Sequence, residues 1–163
     1  MKLPSQARTR PGDLRRFLFA AAVVAALDIS FAATYWVIIR GATTFPRILQ
    51  SIAAGLLGKS AMQGGTRTVL LGALLHCVIA VGWTAIFLLA ARNWRALGQL
   101  LASQFGALKA GLPYGVIVWL TMNGVIVPLS RTAPAPVHST WFMVSLVWHA
   151  IGVGLPIAII IRE

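Results

Sequence analysis

The stretch FLFAAAVVAALDISFAATYWVII (residues 17–39) carries a single charged side chain, the carboxylate of Asp28, near its centre. At about 1.5 Å per residue, a helix of this length reaches roughly 35 Å, enough to cross a hydrocarbon core of about 30 Å. The stretch therefore predicts a transmembrane helix. An ionised carboxylate at the centre of a bilayer is costly, so Asp28 needs polar partners there.

Three further apolar runs follow, at residues 69–91, 111–129 and 141–161. The chain of 163 residues is 58% hydrophobic and 10% charged, whereas soluble domains carry about 25% charged residues. The runs are apolar on every face, which excludes the alternating strands of a membrane barrel. We predict an all-α fold, an integral membrane four-helix bundle that forms a single membrane domain over residues 1–163.

The first outer loop contains FPRILQSIAAGLLG (residues 45–58), in which Ile48, Ile52 and Leu56 recur at helical spacing. This pattern predicts a helix over residues 46–57. Twelve residues reach only about 18 Å, which is too short to cross the bilayer. We therefore expect a short interfacial or re-entrant helix.

The role of this loop helix has two interpretations. It packs on the bundle as a lid, or it opens and closes a cavity as a gate. In either case the polar side chains that would act at its surface are those of Arg47, Gln50 and Ser51.

The net charge of +11 comes from cations that flank the apolar runs. This placement indicates binding to anionic lipid headgroups and not to nucleic acid. One side of the bundle holds most of the cations, so the positive-inside rule puts both termini in the cytoplasm, with residues 1–16 as a basic cytoplasmic arm. That side holds Lys2, Arg8, Arg10, Arg15, Arg16, Arg92, Arg95, Lys109 and Arg162; the other holds Arg40, Arg47, Lys59, Arg67 and Arg131.

The stretch LRRFLFAAAVV (residues 14–24) also has the pattern of a secretory or twin-arginine signal, with basic residues before an apolar segment. We favour a first transmembrane helix. The apolar run continues to residue 39 and ends near Trp36 and Arg40, which is typical of a membrane interface.

Each apolar run supplies one polar side chain at similar depth: Asp28, His76, Asn123 and His149. Measured from the midpoint of each run, all four lie within roughly 6 Å of the midplane. We predict that they form a polar layer, in which imidazoles and an amide accommodate the carboxyl group. In particular, we expect Asp28 to donate a hydrogen bond to an imidazole nitrogen or to the Asn123 amide.

The polar layer has two interpretations, and the sequence leaves both open. As a proton- or ion-linked site, it would serve transport or sensing, and we would then expect a homo-oligomer, because four helices alone rarely enclose a pathway. As interhelical hydrogen bonding only, it would belong to a structural or accessory membrane subunit.

Metal binding and catalysis are disfavoured. A metal site would need Asp28, His76, Cys77 and His149, but adjacent helical residues such as 76 and 77 point about 100° apart. The chain has no G-x-S-x-G, H-E-x-x-H, Walker or complete G-x-G-x-x-G motif. We expect no metal, no cofactor and no enzymatic activity.

Small residues predict where helices come close together. Gly72 lies one turn before His76 and leaves room for a neighbouring helix, and GLPYG (residues 111–115) is a small-xxx-small pattern. Pro156 follows GVG in the last run, which predicts a kink there.

Several motifs together resemble a family of small four-span bacterial inner-membrane proteins of unknown function, and more distantly the YagU-like inner-membrane proteins. The resemblance implies a four-helix protein of the bacterial cytoplasmic membrane and implies no activity. Its motifs are LDISFA (27–32), RGATTFPRILQSIAAGLLG (40–58), QGG (63–65), LGALLHCVIA (71–80), PYGVIVWLTMNGVIVPLS (113–130) and HAIGVGLPIA (149–158).

Overall fold

The computed structural model describes residues 11–132 and 138–162. Within these residues the chain is helical apart from short connections and contains no strand. Four helices in this part of the chain are long and apolar enough to cross a membrane, which confirms the all-α membrane bundle. They are the first span Asp13–Ile39, the second span Gly65–Asn93, the third span Gln104–Leu129 and the fourth span Thr140–Ile161.

All four spans begin before their apolar runs. The first starts as an α-helix over Pro11–Ala33, so residues 11–16 of the expected basic arm belong to the helix; residues 1–10 lie outside the described part. The third span begins at Gln104, so Lys109, which precedes the apolar run 111–129, is helical. Long cationic side chains can extend along a membrane helix and keep their charged groups in water, so a helix can continue beyond its apolar run.

The connection between the second and third spans contains a short helix, Arg95–Leu101, that the sequence did not predict. After it, the Ser103 hydroxyl accepts a hydrogen bond from the Gly106 amide at 2.9 Å and so caps the third span. At the same end of the bundle, Arg92 of the second span forms an ion pair with Asp13 of the first at 2.7 Å.

Three spans contain π-helical segments. These are Thr34–Ile39 at the end of the first span, Met122–Ile126 in the third and His149–Gly154 in the fourth. The latter two lead into the closing α-helices Val127–Leu129 and Leu155–Ile161, each with proline at its second position. Proline has no amide hydrogen to donate, so the preceding turns must change their hydrogen-bond register. The π-helical segment of the fourth span lies directly before Pro156, where we predicted a kink.

The third and fourth spans pack at backbone contact. A Cβ atom added at Gly111 or Gly115 would overlap the backbone of the fourth span, and one added at Gly154 would overlap the third. The small-xxx-small prediction for residues 111–115 is therefore confirmed.

The second and third spans, in contrast, share few close backbone contacts. Side chains join them: the Tyr114 hydroxyl donates to the Trp83 carbonyl at 2.5 Å, and the Phe87 and Tyr114 rings lie 4.8 Å apart. The first span packs on both the second and the fourth. This arrangement leaves space between the second and third spans.

The predicted loop helix is present as Phe45–Leu57 and is followed by a 3₁₀ turn, Gly58–Gln63. Its backbone lies against the second span, where a Cβ at Gly72 would overlap the Leu49 carbonyl. This confirms the prediction that Gly72 admits a neighbouring helix. The Arg131 amide donates to the Gly55 carbonyl at 2.9 Å, so the loop helix also contacts the chain just after the third span. The loop helix thus bridges the second and third spans.

Candidate functional site

A cavity of about 510 Å³ lies between the four spans and the loop helix. All four side chains of the predicted polar layer, Asp28, His76, Asn123 and His149, line it. Each is half-buried. The bundle therefore brings together, around a shared space, the polar residues that lie far apart in the sequence.

The two histidines are oriented by backbone carbonyl groups. His76 Nε2 lies 2.9 Å from the Ala25 carbonyl oxygen, and His149 Nδ1 lies 2.8 Å from the Ser145 carbonyl oxygen. A carbonyl oxygen only accepts, so these ring nitrogens must carry the hydrogen. In the neutral rings, His76 Nδ1 and His149 Nε2 are then hydrogen-bond acceptors.

Asn123 is held in a similar way, because its Nδ2 donates to the Trp119 carbonyl at 3.0 Å, within the third span. Asp28 makes no hydrogen bond to any of the residues that the structure describes. Our prediction that Asp28 donates to an imidazole or to Asn123 was therefore wrong. The acceptor atoms of these residues form no hydrogen bond with the carboxyl group, and their N–H groups bond to backbone carbonyls.

The remaining polar atoms of the layer are accessible from the cavity. Across residues 11–132 and 138–162, the only buried side-chain nitrogen or oxygen without a partner is Trp148 Nε1. Within the same ranges, the Asp28 oxygens and the free ring nitrogens of His76 and His149 also have no partner, so they are not sealed in the core. They lie at the cavity surface and are available to a solute.

Two of the π-helical segments set the positions of Asn123 and His149. Asn123 is the second residue of the segment Met122–Ile126, and His149 is the first residue of the segment His149–Gly154. The His149 backbone is further fixed by the third span, because its carbonyl packs where a Cβ of Gly115 would stand. Single π-helical turns inside helices are frequent at functional sites.

The rest of the lining is mainly apolar and includes three tryptophans, Trp36, Trp83 and Trp141. Trp36 and Trp141 belong to an aromatic cluster between the first and fourth spans, where their rings lie 5.4 Å apart. In the same cluster Phe31 stacks between Trp141, at 5.5 Å, and Trp148, at 4.6 Å.

The loop helix closes one side of the cavity with Arg47 and Ser51. Arg47 Nη1 donates to the Met62 carbonyl at 3.1 Å, and the side chain is exposed. Gln50, which we had grouped with them, does not line the cavity. It is buried against the second span, and its Nε2 lies 3.3 Å from Thr68 Oγ1. Gln50 therefore holds the loop helix in place.

A hydrogen bond that the sequence did not predict joins the third and fourth spans: Trp119 Nε1 donates to Ser145 Oγ at 2.9 Å, and both side chains are buried. Both residues lie in apolar runs. The only signal available beforehand was that an indole N–H in a membrane span needs an acceptor.

The four-residue metal set does not assemble. Cys77 is exposed and does not line the cavity, because it lies next to His76 on the helix and points elsewhere. In the described ranges, no three residues among His, Cys, Asp and Glu are positioned to hold a metal ion together.

Comparison of the chain with models of protein families, with curated proteins and with solved structures finds no match. The resemblance to four-span inner-membrane proteins therefore stays a prediction. The functional argument depends on the geometry of the cavity.

Proposed function

We propose that this multi-pass membrane protein resides in the bacterial cytoplasmic membrane with both termini in the cytoplasm. Its cavity binds a small solute or ion and links that binding to a proton, for transport or for sensing. The observation that carries the proposal is that Asp28, His76, Asn123 and His149, one from each span, line the same cavity.

The size and lining of the cavity support this proposal. Pockets for small molecules usually have volumes of about 300–1,000 Å³, with apolar walls and a few convergent polar groups. A cavity of about 510 Å³ with mostly apolar walls and a small polar layer falls in this class.

The presence of ionisable residues inside the spans also supports the proposal. Ionisable groups within membrane spans are rare and often mark ion or proton pathways. Here a carboxyl group and two imidazoles share the cavity, and their free atoms are available to a solute. We infer no enzymatic chemistry from this set, and we propose that a second copy of the chain completes a pathway across the membrane.

The second candidate function is that of a structural or accessory subunit. The hydrogen bond between His76 and the Ala25 carbonyl favours it, because this contact joins two spans without any solute. However, Asn123 and His149 bond to their own helices, so they add no side-chain hydrogen bond between spans.

The proposal is tested by measuring whether a charged, water-soluble reagent reaches the cavity. In a Cys77→Ser background, cysteine is introduced at Ala32, which lines the cavity, or at Ser30, which is exposed on the outside of the same span two residues away. Thiols react as thiolates, which form in water and not in hydrocarbon. Membrane vesicles are treated with a charged methanethiosulfonate reagent.

We expect the Ala32→Cys variant to react at least about tenfold faster than the Ser30→Cys variant, because only the former meets water. Equal, slow reaction of both variants would contradict the proposal. It would indicate a dry layer and favour the structural role.

A further inference from the structure

We infer that the solute is a protonated primary amine with an apolar body, which exchanges with a proton on Asp28. This inference rests on the proposed function, since it names the class of solute for the same cavity. In each polar group of the layer, the atoms that already form hydrogen bonds determine which atoms remain for a ligand.

The polar layer presents acceptors. His76, His149 and Asn123 each direct one N–H group to a backbone carbonyl. What remains in their neutral forms is a ring nitrogen on each histidine, together with Oδ1 and the second N–H of the Asn123 amide, and Asp28 adds its carboxyl oxygens, so acceptors predominate. A ligand that suits this set must bring hydrogen-bond donors, and an ammonium group brings three.

The carboxyl group of Asp28 is the group of the cavity lining that can pair with a cation. The second and fourth spans face the cavity with His76 and His149, and the third contributes the neutral Asn123. The loop helix contributes Arg47, whose exposed guanidinium is bonded to the Met62 carbonyl. The ionised form of Asp28 therefore places one negative charge in the polar layer, whereas the Arg47 guanidinium belongs to the loop helix and not to that layer.

The apolar body of the ligand follows from the walls. Trp36, Trp83 and Trp141 line the cavity together with aliphatic side chains. Tryptophan faces attract cations as well as apolar groups, and the attraction grows when water is excluded. An amine attached to a ring or a short hydrocarbon matches both features.

The exchange step balances without any further reactant. When the Asp28 carboxyl group is protonated, it releases its proton to water as the ammonium ion enters, and an ion pair between carboxylate and ammonium forms. The O–H bond of Asp28 breaks and no atom is oxidised or reduced. The net charge of the cavity stays the same, because one proton leaves as one ammonium ion enters. Binding of the amine therefore releases a proton.

The test uses the full chain in lipid nanodiscs with three probes of similar shape: 2-phenylethylammonium, 2-phenylethanol and phenylacetate. Binding is measured calorimetrically near neutral pH against empty nanodiscs, and proton release is followed in weakly buffered solution. The variants are Asp28→Asn, Asp28→Glu and, as a matched control, Asp13→Asn, which removes a carboxylate outside the cavity lining.

We expect the amine to bind at least about tenfold more tightly than the alcohol or the carboxylate, because only it forms a charge-assisted pair with Asp28. Asp28→Asn should abolish this preference and the proton release, whereas Asp28→Glu and Asp13→Asn should retain both. The comparison of probes on the wild-type protein stands even if a variant fails to fold.

Three results would overturn the inference: equal binding of the alcohol or of phenylacetate, binding without proton release, or no binding of the amine. If the Ala32→Cys variant still reacts rapidly, the proposed solute cavity survives that failure and only the class of ligand is wrong. Slow thiol reaction together with no binding would end both.

Discussion

His76 Nε2 donates a hydrogen bond of 2.9 Å to the carbonyl oxygen of Ala25, three residues before Asp28 on the first span. This bond joins the first two spans beside the carboxyl group. It also determines which nitrogen of His76 is free to act as an acceptor. One contact thus serves both the packing of the bundle and the chemistry of the cavity.

Replacing His76 by alanine removes this bond. We expect His76→Ala to lower the free energy of unfolding by about 0.5–1.5 kcal/mol, while His76→Gln, which keeps a donor, recovers part of the loss. Unfolding in mixed micelles, followed by circular dichroism, measures this. Cys77→Ala, at the exposed neighbouring position, is the control and should change little. Identical unfolding of His76→Ala and wild type would show that the contact does not join the spans in solution.

Gly72 sets how closely the loop helix approaches the second span. A methyl group there would overlap the Leu49 carbonyl, so Gly72→Ala should destabilise the protein by about 1–3 kcal/mol and loosen the loop helix. Gly82→Ala, on the same span with nothing within 4 Å, should be neutral or slightly stabilising. Hydrogen exchange of the loop helix should rise only in Gly72→Ala. Unchanged exchange in that variant would argue against the close packing.

The buried hydrogen bond from Trp119 to Ser145 provides a second test of packing. Ser145→Ala leaves the indole N–H without an acceptor, which should cost about 1–3 kcal/mol of stability. Adding Trp119→Phe should restore part of this cost, since the orphaned donor is then gone. Thermal unfolding in detergent measures the stability of each variant. Thr121→Ala, which removes an exposed hydroxyl from the third span, is the matched control. A Ser145→Ala variant as stable as this control would contradict the prediction.

Gly115 fixes the backbone of His149. Alanine at Gly115 would overlap the His149 carbonyl, so the fourth span must shift, and we expect a loss of about 1–3 kcal/mol. Gly124→Ala lies on the same span with open space around it and should not destabilise. The rate of thiol modification in the Ala32→Cys background should also change only with Gly115→Ala, because that variant alone reshapes the cavity. Equal behaviour of the two glycine variants would refute this.

Much of the fold follows from the sequence because the membrane imposes simple rules. Runs of apolar residues long enough to cross the bilayer identify the spans, and glycines such as Gly72 and Gly115 identify the close contacts. The helix over Phe45–Leu57 follows from its apolar spacing. Each span places one polar residue at a similar depth, so the sequence also predicts that these four residues share one space.

The hydrogen-bond partners of the site could not be predicted in this way. Depth does not determine the direction of a side chain, and the π-helical segments shift the register of Asn123 and His149 relative to an ideal helix. Gln50 and Arg47 are three residues apart and so share a face by spacing, yet Gln50 is drawn to Thr68 of the second span. Such choices depend on the neighbouring helix, which spacing along one segment does not describe.

The most direct test of a proton-linked cavity is flux in proteoliposomes that contain a trapped pH dye. Gradients of Na⁺, K⁺ and 2-phenylethylammonium are imposed at several pH values on vesicles with wild-type protein, with Asp28→Asn and with no protein. We predict that at least one gradient drives a change of internal pH with the wild-type protein beyond that of empty vesicles, and that Asp28→Asn abolishes the difference. The same background change in all three preparations, for every ion, would contradict a proton-linked role for Asp28.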